Sequence, residues 1–337
     1  MRTPATGEQR VLGVIGTLVW DTIHRPAQGT GPRQEWGGIG YSLGALVASL
    51  GPEWEVLPIV KVGRDLAEPA MRFIRELPRV RPEPGIVLVP EPNNRVELLY
   101  RGPDRRTERL SGGVPPWRWS ELAPLVSLCD ALYINFISGF EMELETAQAL
   151  HDSFKGPIYA DLHSLFLGVG REGERIPRPL PDRAAWLAAF DAVQMNEDEF
   201  ELLGGGVEDP WALASRAIGP RLKLMTVTLA ERGAAWLAAG GFEPNPFGWP
   251  ALRRNMGASG PVRSGKVSAA PGVELADPTG CGDVWGSTFF ARLLAGDTLE
   301  EALDRANDLS ARNAGYRGAR GLHLHLQGRL PRRSEAG

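Results

Sequence analysis

Short apolar runs recur along the chain at the length of buried strands: Val11 to Trp20, Val56 to Val62, Ile86 to Val89, Ala131 to Phe136, Ile158 to Ala160, Ala192 to Met195 and Leu224 to Leu229. Between many of them the apolar positions take a spacing of three and four, as over Ser42 to Leu50, Ala67 to Leu77, Glu141 to His151 and Trp211 to Ile218, the mark of a helix with one buried face. Continuous strands alternating with amphipathic helices predict an α/β fold, a mainly parallel sheet covered by helices. In such a sheet ligands bind at the carboxyl ends of the strands. Two stretches break the rhythm. Ile86 to Val89 and Val96 to Tyr100 flank the turn cluster Pro90, Pro92, Asn93 and Asn94, which reads as a β excursion from the main sheet. Residues 240–265, with Pro244, Pro246, Pro250 and Pro261 among several glycines, follow neither period and are expected to be a flexible surface insertion. The residues after Leu330 read as a frayed tail, 331–337.

Composition narrows the classes. The chain has 337 residues, 37 Lys plus Arg against 41 Asp plus Glu, and 43% hydrophobic residues, the balance of an ordinary globular protein with no polyanion-binding surface. Nucleic acid is therefore not an expected partner. The run Val11 to Trp20 falls short of the ~20 residues that span a bilayer, and polar Asp21, Thr22 and His24 stand where a signal cleavage site would be, so no membrane association is expected. Two cysteines, Cys129 and Cys281, build no disulfide framework for a chain this long, which suits a reducing cytoplasm.

The chemistry concentrates in Val273 to Ala295. Apolar residues lead into Asp277-Pro278-Thr279-Gly280-Cys281-Gly282-Asp283, and a helical pattern follows to Gly296. Glycines just ahead of a helix let backbone N–H groups converge on an anion, and the helix dipole adds positive potential there, an arrangement suited to phosphate. A carboxylate in such a place needs a reason. Taking the proton from a hydroxyl that attacks a phosphoryl group supplies one for Asp283. The plainer alternative is a charge that caps the helix.

This segment resembles the C-terminal signature D-T-x-G-A-G-D of the ribokinase-like, or PfkB, family of carbohydrate and nucleoside kinases, with Pro278 in place of Thr and Cys281 in place of Ala. The resemblance implies a ribokinase-like three-layer α/β/α domain over 1–337, with a small β lid from 22–36 and 84–112. It implies Asp283 as catalytic base and the backbone of Gly280, Cys281 and Gly282 as anion hole. Gly16 to Asp21 resembles the strand whose Asp grips substrate hydroxyls, a role that a carboxylate accepting two hydrogen bonds from a diol can fill. Gly37-Gly38-Ile39-Gly40-Tyr41-Ser42-Leu43-Gly44 resembles G-G-x-G-x-N-x-A, with Ser42 where Asn is usual, and belongs to the same acceptor site. Val62-Gly63-Arg64-Asp65 resembles a structural V-G-x-D turn.

On the donor side, Asn196 to Glu199 is similar to the N-x-x-E motif that organises waters around Mg2+, although Asn with Glu three residues later is equally a helix capping box. Thr228 to Gly233 looks like the T-x-G-x-x-G nucleotide loop, with Ala230 in place of the first Gly; a β-carbon there restricts the loop if positive φ is required. Asn307 resembles the adenine-side residue, and Asp161-Leu162-His163 resembles D-x-N with His163 for Asn. The implied cofactors are ATP and Mg2+, with K+ near Asp277. The implied partner is a small sugar, polyol or nucleoside, and a homodimer would pair through the lid. The competing class is a non-catalytic binding or regulatory protein on the same fold.

Other patterns lead nowhere. Gly260 to Val267 nearly matches a P-loop, but Val267 has no hydroxyl for Mg2+ and Pro271 interrupts the helix that should follow. Gly38, Gly40 and Gly44 miss the dinucleotide spacing by one. His323 and His325 have no carboxylate or cysteine cluster beside them to make a metal site, and Arg101, Arg105, Arg106 and Arg109 are interleaved with Asp104 and Glu108 as a solvated face. Most of the ten Trp read as core or turn anchors, while Trp20, Trp36 and Phe136 stand near strand ends where they would line a substrate ring.

Overall fold

A computed structural model describes residues 9–25, 31–100, 106–253, 260–269 and 277–330. Along the chain the strands are β1 (Arg10–Ile15), β2 (Trp20–His24), β3 (Arg33–Trp36), β4 (Trp54–Gly63), β5 (Ile86–Val89), β6 (Arg95–Tyr100), β7 (Arg106–Ser111), β8 (Ala131–Asn135), β9 (Ile158–Asp161), β10 (Leu167–Val169), β11 (Arg175–Pro177), β12 (Ala192–Asn196), β13 (Leu224–Thr228), β14 (Ala234–Ala238) and β15 (Arg263–Val267). Nine form one sheet in the order β15-β14-β13-β12-β9-β8-β1-β4-β5. Its strands run parallel from β13 through to β5, while β14 and β15 are antiparallel at one edge. Residues on alternate sides of the strands pack against two helix layers. Helices Ile39–Ser49, Cys281–Leu294 and Leu299–Ala314 cover one face, and Leu144–Ser153 and Glu197–Leu203 are among those covering the other. This is the expected three-layer α/β/α architecture. Strand order reverses at β1, so a crevice opens at the carboxyl ends of β1 and β8.

The expected elements hold with three changes. The run Val11 to Trp20 splits into β1 and β2, because the Thr17 hydroxyl donates to Glu141 Oε1 (2.7 Å) and turns the chain out of the sheet before Trp20. Ile86 to Val89, expected in the lid, is β5 and pairs in parallel with β4 at the main-sheet edge. The lid is therefore the four-stranded sheet β3-β2-β6-β7, in which β2 and β6 run parallel and Ile23, Leu98 and Tyr100 form a small core. The hairpin β10–β11 extends it through a bridge from Arg109 to Glu174. Arg101, Arg105 and the side chain of Arg106 lie outside the described residues, as does the expected tail 331–337.

The third change concerns 240–265. Its end is β15, so the P-loop look-alike is an edge strand, and Trp249 is fully buried. Arg253 bonds both oxygens of Asp191 and donates to the carbonyls of His151 (3.0 Å), Phe154 (2.7 Å) and Gly156 (2.9 Å). Pro-rich sequence hid the anchoring of residues 240–253, because it comes from a long-range charge contact rather than a period. Lys223 Nζ completes the group at 3.0 Å from Asp191 Oδ1. Burial opposes the Asp191 charge, but the Arg253 contact overcomes it and holds the carboxyl below its usual range.

Removing that carboxylate leaves two cations facing each other in the interior. Asp191→Ala is expected to cost about 3–5 kcal/mol in chemical denaturation at neutral pH. A loss under ~1 kcal/mol would mean that water already serves the cluster.

Candidate active site

Asn135 ends β8 at the crevice and is fully buried. Its Nδ2 donates to Ser42 Oγ (3.1 Å) and to Asp283 Oδ1 (2.7 Å), so one amide joins the acceptor-side helix Ile39–Ser49 to the first turn of the helix Cys281–Leu294. A second amide, Gln194 on β12, holds the same turn: its Nε2 donates to Gly282 O and to Asp161 Oδ2, both at 3.0 Å. Neither residue was singled out from the sequence. The available signal was a polar residue interrupting an apolar strand run, as in Ala131 to Phe136 and Ala192 to Met195.

Gly280 caps this helix in the left-handed region at φ +76°, and a Cβ there would stand 2.3 Å from the Tyr41 ring. The first intrahelical bond runs from Val284 N to Gly280 O (2.9 Å), so earlier N–H groups open on to the crevice end. Cys281 N–H is used locally, donating to Pro278 O (3.2 Å). Its thiol packs under the loop against Ser310 O, and burial raises its pKa, which suits packing rather than nucleophilic chemistry.

Asp21 lies on the inner side of the lid, 4% exposed, with its carboxylate so close to Gly37 that a Cβ there would stand 1.8 Å from Oδ2. Gly38 caps the Ile39 helix at φ +57°. Tyr41 sits amid Glu35, Asp21, Asp277 and Asp283; burial first, and these carboxylates next, push its phenol well above its ordinary pKa. The signature loop and the acceptor loop therefore face one another across this ring. From the end of β2, Arg25 reaches Asp277 Oδ1 (2.9 Å) while its guanidinium lies 4.1 Å from the centre of the Tyr100 ring. Tyr100 OH in turn meets Thr279 Oγ1 at 3.0 Å. Of the aromatic side chains expected to line a substrate ring, Trp36 packs into the core against Phe73, with Trp20 edge-on to it.

Farther along the sheet Asn196 and Thr228, expected on the donor side, are register partners at the ends of β12 and β13. The capping box is formed: Asn196 Oδ1 accepts from Glu199 N (2.9 Å), and Glu199 Oε2 accepts from Asn196 N (2.8 Å). Glu199 Oε1 takes Asn196 Nδ2 (2.6 Å) and also contacts His163 Nδ1. Burial would lower the His163 pKa, but the Glu199 carboxylate outweighs it and raises it to about 9; burial, then Glu199, raises Asp161 to about 8. Ala230 adopts φ +51°, so the loop does require the left-handed conformation that a glycine supplies more readily; Gly233 follows at φ +92°. Asn307 is occupied at both ends, accepting from Trp285 Nε1 (2.8 Å) and donating to Ser268 O (2.9 Å). Among the described residues no group of three His, Cys, Asp or Glu is placed to hold a metal ion directly.

The pfkB family carbohydrate kinase model matches residues 175–324, a little under half of the chain and the part that carries the signature loop. No curated protein sequence is significantly similar. The fold matches solved structures over nearly its whole length. Ribokinase from Thermotoga maritima superposes with TM-score 0.68 at 17% identity, covering 95% of this chain and 98% of that one. Ribokinase from Arabidopsis thaliana, solved with ribose and ATP, gives 0.65 at 17% identity, covering 95% and 99%. A pyrophosphate-dependent kinase of the ribokinase family, solved with a pyrophosphate analogue and myo-inositol, gives 0.68 at 17% identity, covering 94% and 99%. The family model thus matches the part of the chain that carries the signature loop, and the chain as a whole has the ribokinase fold. No helix among the described residues is long and apolar enough to cross a membrane.

Two measurements probe the donor side. His163 binds a proton more tightly folded than unfolded, so its stabilisation is complete below its ordinary pKa of 6.5 and is lost as pH rises through about 9. Asp161, raised from 3.8 to about 8, loses its share in the same direction. Unfolding free energy is therefore expected to fall between pH 6.5 and 8, and about half as steeply in His163→Asn. Equal slopes would remove His163 from the cluster. Ala230→Gly is expected to relieve left-handed strain of about 1 kcal/mol and raise Tm; a lower Tm would show that chain entropy outweighs it.

Proposed function

We propose that the protein transfers the γ-phosphoryl group of ATP to a hydroxyl of a sugar or sugar-like polyol, with Asp283 as general base. The observation that carries this reading is the Asn135 amide bound to both Ser42 and Asp283, which sets a carboxylate from a helix N-terminus beside the acceptor helix. A hydroxyl there gives its proton to Asp283 as its oxygen bonds to the γ-phosphorus and the bond to the β-phosphate oxygen breaks. The amides of Gly280 and Gly282 at the helix N-terminus stabilise charge on the transferred group, while that of Cys281, expected beside them, is spent on Pro278 O. Asp21 and the Gly37-Gly38 backbone hold the acceptor, and the lid keeps water, a rival acceptor, out. Asn196, Thr228 and Gly233 line the donor side, while Asn307 acts through the Ser268 carbonyl it holds.

Mg2+ neutralises the triphosphate when bound with it. Burial first, and then the approach of Glu199 and Asp283, raises the Asp161 pKa; that gathering of carboxylates favours a dication nearby, and Glu199 and Asp161 would hold it through waters. The Arabidopsis ribokinase was solved with ribose and ATP, and the pyrophosphate-dependent kinase with myo-inositol, and both acceptors are polyhydroxyl compounds of the class proposed here. The carboxylates Asp21 and Glu35 around the acceptor loop favour a polyol over a nucleoside, which needs an aromatic pair to stack its base. Pairing of two copies through the lid would bring together its outer residues Gln34, Glu97 and Arg109, all polar.

The test is ADP or phosphate release with Mg-ATP, and separately with pyrophosphate, against pentoses, hexoses, inositols and nucleosides. Asp283→Asn is expected to lower kcat at least about a thousandfold while ATP still binds. Asp21→Ala is expected to raise the acceptor KM by about tenfold or more with a smaller change in kcat. Undiminished turnover by the Asp283 variant would overturn the mechanism.

A further inference from the structure

The first carboxylate of the signature loop is already matched by a positive charge of the chain's own. Asp277 Oδ1 accepts from Thr279 N (3.0 Å) and Thr279 Oγ1 (2.6 Å), and Arg25 Nη2 stands 2.9 Å away. Both ionic side chains are largely buried, at 18% and 6% exposure, and Arg25 Nη2 has no partner in hydrogen-bond geometry, so this is a charge contact held in place by its surroundings. What holds it is the lid: the guanidinium stacks on Tyr100, whose hydroxyl reaches Thr279 in the same loop. Glu35, on the neighbouring lid strand, feels both partners; burial first raises its pKa, Asp277 adds to that and Arg25 opposes it. A monovalent cation at Asp277 does not fit this arrangement. A cation there would stand within contact distance of a guanidinium of the same sign, on a carboxylate whose Oδ1 already takes two hydrogen bonds.

We infer that Arg25 takes the place of a monovalent cation at Asp277, so that closing the lid, and not binding K+, sets the charge balance of the signature loop. The inference rests on the kinase reading for its activity arm alone. When the lid opens, Arg25 and Tyr100 leave together, Asp277 is left uncompensated and the loop before Gly280 loses two of its tethers. Phosphate binding at that loop and enclosure of the acceptor then become one event, which keeps the donor from meeting water in an open site.

The experiment uses the full chain, Arg25→Ala and Tyr100→Phe, each in about 0.1 M tetramethylammonium chloride or the same concentration of KCl, so that exposed charges are screened alike. Turnover and, without substrates, Tm are both read. Wild type is expected to change less than about twofold between the two salts, and Arg25→Ala to lose about tenfold without KCl and regain a good part with it, the scale of one charge contact. Tyr100→Phe is expected to lose turnover with no cation requirement, since Arg25 remains. In the Tm arm, KCl should stabilise Arg25→Ala and leave wild type unmoved. Strong K+ dependence of wild type, or an Arg25→Ala protein that K+ affects in neither arm, overturns the inference. Absence of turnover from wild type with every acceptor is the failure of the kinase reading instead, and the Tm arm still decides the role of Arg25.

Discussion

The site depends on how one helix start is gripped. Asn135 at the end of β8 and Gln194 on β12 bind Asp283 and Gly282, successive residues of the first turn of the helix Cys281–Leu294. Both donors come from the middle of a fully buried parallel sheet, where an unsatisfied amide would be costly, so the turn's position is fixed by the same requirement that stabilises the core. Gln194 is itself held by the Tyr159 hydroxyl (3.0 Å), and Gly286 leaves its carbonyl room: a Cβ there would stand 1.9 Å from Oε1. The start of this helix is thereby held by the sheet and not by its own sequence alone.

From that fixed point the two halves of the crevice differ in character. The donor half is built from strand ends and a capping box, and its charges are coupled through Asp161, His163 and Glu199. The acceptor half is closed by a separate small sheet whose own core is only Ile23, Leu98 and Tyr100 with Val96 against it. So small a core leaves the lid's position to its contacts with the body, and the ion pair of Arg25 with Asp277 is one of them.

The fold was legible because parallel strands buried on both faces write continuous apolar runs, and seven of these runs became β1, β4, β5, β8, β9, β12 and β13. What stayed hidden was written in long-range contacts. Nothing local says that Ile86 to Val89 pairs with β4 rather than with Val96 to Tyr100, since a parallel and an antiparallel partner ask for the same residues. The segment 240–253 carries turn chemistry, and its order comes from Arg253 meeting Asp191, 62 positions away. In the site, the signature loop stood out because glycines and aspartates at fixed spacing are rare. Asn135, Gln194 and Arg25 did not, since a single Asn, Gln or Arg has no spacing to recognise.

The departures from the family pattern have a common physical sense. Ser42 stands where Asn is usual, and the amide of Asn135 reaches its hydroxyl from the facing strand while also bonding Asp283, so the bridge between them is made from the sheet side. His163 stands where Asn is usual and brings a proton that offsets part of the carboxylate repulsion around Asp161. Ala230 keeps the left-handed turn that a glycine would form more easily, which shows that the backbone path of the donor loop is imposed by its surroundings: Leu229 N bonds to Gly233 O (2.8 Å) and Gly233 N to Ala230 O (3.1 Å). In each case neighbours on other elements hold the residue in place, so its geometry is set by the packing of the sheet and helices rather than by local sequence.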